Sequence, residues 1–239
     1  MDGSTNEPRF AIYYTPPAED PLTRQAASWL CRDAFSSTVG HPNQPQPVHG
    51  ALVADPARYG FHATLKAPFR LKPGICRADL EAEMERFAAN TAACPIGQLH
   101  IAKIGGFFAL VPVQPNPALR GFAGRIVEHF DGFRASMNAG ELRRRLSKRL
   151  DDEEASHLVR WGYPYVFDRF RFHMTLTGQV DENESDALHR RLKALFDSQI
   201  GRDFLIDSLT LFEQPTPQSP FIAARTFPMG RARMREAAE

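Results

Sequence analysis

With 239 residues, 43% hydrophobic and 24% charged, the chain is long enough to bury a core without disulfide or metal staples. A formal net charge of +1 gives no overall attraction for nucleic acid or an anionic membrane, although a local basic groove is invisible to that sum. Three widely spaced cysteines, Cys31, Cys76 and Cys94, with no CxxC pair, argue against structural disulfides and a zinc-thiolate site and for a reducing compartment.

The opening "MDGSTNEPR" is polar and unlike a signal peptide, and no apolar run approaches the roughly 20 residues that span a bilayer. A soluble, cytoplasmic protein with no membrane partner is expected. "RFAIYYTPP" (Arg9–Pro17) reads as a strand stopped by a proline pair. In the helix that follows, over Asp20–Phe35, Asp20 can cap and Pro21 suits the first turn. Leu22, Ala26, Trp29 and Leu30 share one face. Gly40–Gly50, rich in Pro, His and Gln, reads as an irregular loop. "GFHATLKAPF" (Gly60–Phe69) opens an extended run ending at Pro73. A helix is expected over Arg77–Ala92, with Leu80, Met84, Phe87 and Ala88 as its apolar stripe. Gln98–Val113 reads as two strands joined by a turn at Gly105–Gly106.

The second half repeats the plan. "FFALVPVQPNPAL" (Phe107–Leu119) resembles Arg9–Leu22, with a matching helix over Ala118–Phe133. A charged segment, Asn138–Phe167, is inserted next and should hold one or two short helices. Its charge run, Arg143–Arg149 then Asp151–Glu154, is most simply a solvated helical surface, the alternative being a phosphate-steering patch. "FRFHMTLTG" (Phe170–Gly178) follows, then a helix over Glu182–Ile200 and a closing strand pair, "DFLIDSLTLFEQ" and "PFIAARTFP". This is an internal duplication. The opening strands lie 98 apart (Phe10 to Phe108) and the motif histidines 111 apart (His62 to His173), a difference of 13 residues of extra length in the second half. The expected organisation is one bilobal domain with lobes of about 9–106 and 107–228, strand exchange between them allowed, and 138–167 as an inserted helical segment.

The two motifs share Phe-His-X-Thr-Leu. A strand sends alternate side chains to opposite faces. His62, Thr64 and Lys66 therefore share one face and Ala63, Leu65 and Ala67 the other. In the second copy Arg171, His173, Thr175 and Thr177 oppose Phe172, Met174 and Leu176. Each strand pairs an apolar face with a polar one carrying a His, a hydroxyl two residues on, and a cation. Two imidazoles facing across a groove suit attack on a phosphodiester. One accepts a proton, the other donates one, and the threonines hold non-bridging oxygens. Two acid–base contributions of 10²–10⁴-fold each lower the barrier by about 5–11 kcal/mol. The bland alternative, a half-buried histidine satisfied by neighbours, fits one His-X-Thr well and two equivalent copies poorly. Neither strand carries a third ligand at metal spacing, so no metal and no cofactor is expected.

Paired His-X-Thr strands in a duplicated α/β plan resemble the 2H phosphoesterase superfamily, which includes bacterial RNA 2′,5′-ligase-like proteins and cyclic phosphodiesterases. "RYGFHATLKAPF", "WGYPYVF" and "FRFHMTLTG" are similar to the branch found with phosphonate-utilisation genes, over about Arg9 to Pro228. The resemblance implies an α+β, bilobal duplicated fold with two antiparallel sheets around a central cleft and helices outside. It implies metal-independent cleavage of cyclic or 2′,5′-type phosphodiesters, catalytic roles for His62 and His173, and phosphate contacts for Thr64 and Thr175. Lys66 and Arg171 are further candidate phosphate contacts or rim charges. Tyr13 is a candidate for the cleft floor. Tyr163, with Tyr165, either stacks a base or sugar or packs the insert on the core, and Arg58 and Tyr59 are equally open. The remaining histidines, 41, 49, 100, 129, 157 and 189, lack the threonine and read as surface or structural. No GxGxxG or GxxxxGK occurs. The expected function is a phosphodiesterase acting on a small cyclic phosphate, ribose- or nucleotide-like. The alternative is a non-catalytic module binding a phosphorylated metabolite or a short RNA end.

Overall fold

The structure, a computed structural model, describes residues 7–36, 50–147 and 149–230. The expected irregular stretch at 40–49, with His41 and His49, lies outside them. Among the described residues nine strands form: β1 Arg9–Tyr14, β2 Ala63–Phe69, β3 Cys94–Gly97, β4 Leu99–Ile104, β5 Phe107–Pro112, β6 Met174–Thr175, β7 Phe204–Ile206, β8 Ser208–Gln214 and β9 Ile222–Pro228. Seven α-helices accompany them in the same described residues: α1 Pro21–Leu30, α2 Gly50–Tyr59, α3 Arg77–Ala89, α4 Pro117–His129, α5 Ala139–Leu146, α6 Asp152–Trp161 and α7 Glu182–Ile200. The class is α+β.

Two antiparallel sheets are present and they are unequal. One has seven strands in the order β4-β5-β6-β2-β1-β8-β9; the other is the pair β3-β7. The order is palindromic under the duplication, with β4 and β8, β5 and β1, and β6 and β2 as equivalents. Strands are exchanged: β4 from the first half pairs β5, while β8 and β9 from the second half extend beyond β1. The two motif strands, β2 and β6, are hydrogen-bonded neighbours at the centre. The halves thus merge into one sheet, with the motifs side by side on its midline.

The helix starts follow local chemistry in both halves. The Asp20 carboxylate accepts from Leu22 N at 2.9 Å with Pro21 in the first turn, and Asn116 accepts from Leu119 N at 3.1 Å with Pro117 in its first turn. The Gly105–Gly106 turn joins β4 to β5 as expected, and the insert holds two short helices, α5 and α6. Helix α2 was not expected, because Pro56 lies inside it and breaks the sequence pattern. Proline lacks the N–H that would bond Leu52 O, and that carbonyl accepts instead from Gly178 N at 2.6 Å, just after the second motif. The orphan carbonyl thus ties the two halves together.

The apolar faces behave as alternation requires. Ile12, Tyr14, Ala63, Leu65, Met174 and Leu176 are buried in the main core with α1, α3, α4 and α7. Each buried Leu or Met side chain stabilises by roughly 1.5–3 kcal/mol. The Trp29 indole N–H donates to Leu176 O at 2.8 Å and anchors α1 to the second motif strand. A smaller cluster, Ala11, Tyr13, Ala34, Phe212 and Phe221, lies on the other face of the sheet, beneath the cleft.

Alternation fails just after the threonine in both copies, and β2 slips a second time between Lys66 and Phe69. Tyr13 pairs with Thr64 but Ile12 pairs with Lys66, so one extra residue enters β2. In the second copy Leu176 N and Thr177 N both donate to Phe108 O, at 2.9 and 3.2 Å. Each motif therefore carries a bulge immediately after its threonine, which turns the following side chain off the polar face. The register also corrects the sequence alignment of the halves. Tyr13 opposes Thr64 and Ala109 opposes Thr175, so Tyr13 and Ala109 are equivalent and the match of Phe10 to Phe108 is two residues out of step. A two-residue slip leaves every side chain on its own face, so pattern alone does not reveal it.

Candidate active site

The site is built by the antiparallel register of β2 and β6. Ala63 pairs with Met174, which sets His62 opposite Thr175 and Thr64 opposite His173. Side chains directly opposite have Cβ atoms about 4.5–5.5 Å apart, and diagonal neighbours about 7–8 Å. The two imidazoles are such a diagonal pair, with a threonine beside each. All four side chains open into one cavity of about 590 Å³. A second cavity of about 600 Å³ meets it at Thr64, Ala67, Tyr163, Tyr165 and His173, making one cleft with two arms.

Both histidines are held in the same way. His62 Nδ1 donates to Gly60 O at 2.8 Å, and His173 Nδ1 to Arg171 O at 2.8 Å, the carbonyl two residues back in each case. A carbonyl only accepts, so the proton sits on Nδ1 in the neutral ring and Nε2 carries the lone pair. His62 Nε2 lies 3.2 Å from Thr64 Oγ1, which donates to it in the resting site. Gly60 makes the first arrangement feasible. It ends α2 at φ +77, and a Cβ there would come 2.4 Å from Ala34 Cβ.

The environments of the two rings differ. Tyr13 stacks on His62, with centroids 3.8 Å apart and planes 19° apart, and its hydroxyl is within hydrogen-bonding reach of Thr64. Ala109, the equivalent of Tyr13, offers His173 no ring; Phe107 stands 5.9 Å away, tilted. Burial pushes the His62 pKa down to about 4, against a smaller upward pull from the Gly60 carbonyl and with some repulsion from His173. Burial also lowers the pKa of His173, opposed by the Arg171 carbonyl. Among the described residues no carboxylate lines the arm where the four side chains meet, so beyond the two backbone carbonyls no anionic group there stabilises an imidazolium until an anion enters. Burial raises the Tyr13 pKa well above its ordinary value and that of Tyr163 to about 12.

Tyr13 and Tyr163 line the cleft alongside the motif residues, and Arg171, exposed, opens onto the second arm. Tyr163 packs edge-on against Tyr165 at 5.5 Å, both on the loop after α6. Lys66 requires correction. It is 3% exposed, and its ammonium donates to Val127 O at 3.1 Å and pairs with Asp131 at 3.2 Å, on the side of α4. The bulge after Thr64 turns it there. Burial lowers its pKa to about 8, against the pull of Asp131. Thr177, its counterpart, is also buried; its hydroxyl accepts from Phe108 N at 2.9 Å and donates to Gly178 O at 2.8 Å.

Arg9, Arg144 and Arg145 line the same arm as the histidines; the sequence offers the last two only within the Arg143–Arg149 run, as the alternative of a phosphate-steering patch, and does not single out Arg9. Alternation along β1 puts Arg9 on the face of Tyr13, and that was the available signal. Nothing local places α5 over the cleft. Among the described residues no three His, Cys, Asp or Glu side chains converge as metal ligands, and no helix is long and apolar enough to cross a membrane.

Comparison with known proteins gives a family and distant relatives. The family model described as "Protein of unknown function (DUF1045)" matches residues 64–222. Two proteins named ribose 1,5-bisphosphate phosphokinase PhnN are each 34% identical to the chain. That of Janthinobacterium sp. (strain Marseille) matches over 228 residues, 92% of this chain and 50% of its own length. That of Laribacter hongkongensis (strain HLHK9) matches over 218 residues, 91% and 51%. The chain thus spans about half the length of the curated relatives it matches. Among solved structures, E. coli LigT complexed with 3′-AMP is 13% identical with a TM-score of 0.41, over 94% of this chain and 99% of that one.

Proposed function

The chain belongs to the DUF1045 family, and from that premise we propose that it is a phosphodiesterase of the 2H type, hydrolysing a small cyclic phosphate by proton transfers between two histidines. The observation that carries this reading is the cross-strand register, which sets His62 beside Thr175 and Thr64 beside His173 in one cavity. A phosphoryl group bound among the four side chains meets two hydroxyl donors and two Nε2 atoms whose roles are already fixed by their Nδ1–H bonds.

His62, held neutral at rest, is the general base and His173 the general acid. When the phosphate enters, Thr64 turns its hydroxyl from His62 Nε2 to a non-bridging oxygen and frees that lone pair. Thr175 binds another non-bridging oxygen. The bound anion favours protonation of one ring, and His173, with no tyrosine stacked on it, is the ring that takes the charge. Water attacks phosphorus while His62 Nε2 removes its proton. The ring P–O bond breaks, and His173 gives its Nε2 proton to the leaving oxygen. The product is a phosphate monoester. The two rings end in exchanged protonation states and reset with solvent.

The names of the relatives support a ribose-phosphate skeleton, and the likeness of "RYGFHATLKAPF", "WGYPYVF" and "FRFHMTLTG" to the phosphonate-associated branch supports a place in phosphonate breakdown. The kinase step in those names needs a phosphate-cradling loop, and this chain has no GxxxxGK, so kinase activity is not proposed for it. The test is a panel of nucleoside cyclic phosphates and 2′,5′-linked dinucleotides, incubated with excess chelator. Turnover should survive the chelator and fall at least 10²-fold in both His62→Ala and His173→Ala. Undiminished turnover in the double variant sinks the mechanism.

A further inference from the structure

The two arms of the cleft differ in charge. The arm beyond Thr64 and His173 is mixed, with Glu154 and Asp168 alongside Arg169 and Arg171. The arm holding His62 and Thr175 is lined by Arg9, Arg144 and Arg145 and, among the described residues, by no carboxylate. These cations come from distant parts of the chain, Arg9 from β1 and the other two from α5 of the insert. Arg9 stands on the cleft face four residues from Tyr13, about 13 Å along the strand. Its Nε donates to Gln214 Oε1 at 2.7 Å and its guanidinium lies 5.5 Å from the Phe221 ring centre. Among the described residues Arg9 makes no ion pair with a carboxylate. Burial lowers its pKa, and the charges of Arg58 and Arg145 push the same way. Arg145 shares its guanidinium between Glu141 at 2.8 Å and Gly162 O at 2.9 Å, while Arg144 is exposed. A half-buried guanidinium facing like charges across a cavity is unfavourable until an anion arrives.

We propose that this arm is a second anion site, centred on Arg9 with Arg144 and Arg145, that holds a phosphate monoester remote from the scissile group. The substrate is then a cyclic phosphate whose small skeleton already carries another phosphate. The identity of the scissile group rests on the phosphodiesterase reading above; the second anion does not. The arrangement also fixes the orientation of the substrate, since the monoester occupies the cationic arm and the rest of the skeleton faces the tyrosines and the mixed arm.

The experiment has two readouts. The first is turnover of a ribonucleoside 2′,3′-cyclic phosphate with and without a 5′-phosphate. The wild type should prefer the phosphorylated ring. Arg9→Gln should lower kcat/KM for it by about 10- to 100-fold, the loss of one charge-assisted hydrogen-bond pair, and leave the unphosphorylated ring within threefold. The preference should also weaken as ionic strength rises. Equal activity on both rings in the wild type, or equal loss on both in the variant, overturns the proposal. The second readout is calorimetric binding of ribose 5-phosphate against ribose. Arg9-dependent binding of the phosphate alone supports the site even where no diester is turned over, an outcome that removes the phosphodiesterase reading and keeps this one. Absence of ribose 5-phosphate binding overturns the anion site whatever the diesters do. Arg144→Gln repeats both measurements at an exposed position, should Arg9→Gln fail to fold.

Discussion

Gly60 is the residue whose replacement tests the construction of the site most directly. It closes α2 with its N–H on Pro56 O at 3.0 Å and turns the chain at φ +77. Its own carbonyl then accepts from His62 Nδ1. Gly60→Ala forces two separate costs. A left-handed conformation costs an L-residue roughly 1–2 kcal/mol. The new methyl, 2.4 Å from Ala34 Cβ, must also displace its neighbour, an overpacking cost of about 1–3 kcal/mol. The sum is about 2–5 kcal/mol, a large share of the roughly 5–15 kcal/mol that holds a domain together. Equilibrium urea unfolding should show the midpoint falling by about 1–2 M with unchanged slope. Ala34→Gly separates the contributions, because it removes the clash and leaves the backbone strain. The double variant should regain the overpacking share and remain about 1–2 kcal/mol below wild type. A loss under 0.5 kcal/mol in Gly60→Ala, or full recovery in the double variant, refutes the reasoning. Catalysis should fall further than stability explains, since the carbonyl that orients His62 moves with residue 60.

Stability should also depend on pH. The folded-state pKa of His62, about 4, lies below its ordinary 6.5, so the unfolded chain binds more protons between those values. The stabilising contribution is complete above pH 6.5 and lost as pH falls towards 4, up to about 3 kcal/mol for this half-buried ring. His173 acts in the same direction, and His62→Gln should flatten the curve measured by denaturant unfolding at stepped pH. Lys66→Met should leave turnover within threefold, because the ammonium faces Asp131 and not the cleft, and should cost about 1–2 kcal/mol, since Arg134 still holds Asp131 at 2.7 Å. A hundredfold loss of turnover in a folded Lys66→Met would return Lys66 to the site. Thr177→Val should cost about 1–3 kcal/mol by stranding the Phe108 N–H, and the Phe108 amide should lose hydrogen-exchange protection; an unchanged amide contradicts the assigned bond.

Local pattern determined a good deal of this protein. Two His-X-Thr strands with apolar opposite faces, the duplicated plan, the Asp20–Pro21 helix start and the Gly105–Gly106 turn all rest on nearest neighbours and short periods, which a sequence displays directly. Tertiary structure decided what those periods leave free. A slip of two residues keeps every face, so only strand pairing set Tyr13 beneath His62 and Ala109 near His173. A bulge adds one residue without changing composition, so only pairing showed Lys66 and Thr177 leaving the polar face. Pro56 masks α2 because its missing hydrogen bond is made up by Gly178, more than a hundred residues away. Arg9, Arg144 and Arg145 meet in one cavity for the same reason: side-chain convergence across long separations is fixed by which strands pair and which helix covers them, and no local stretch of the chain carries that information.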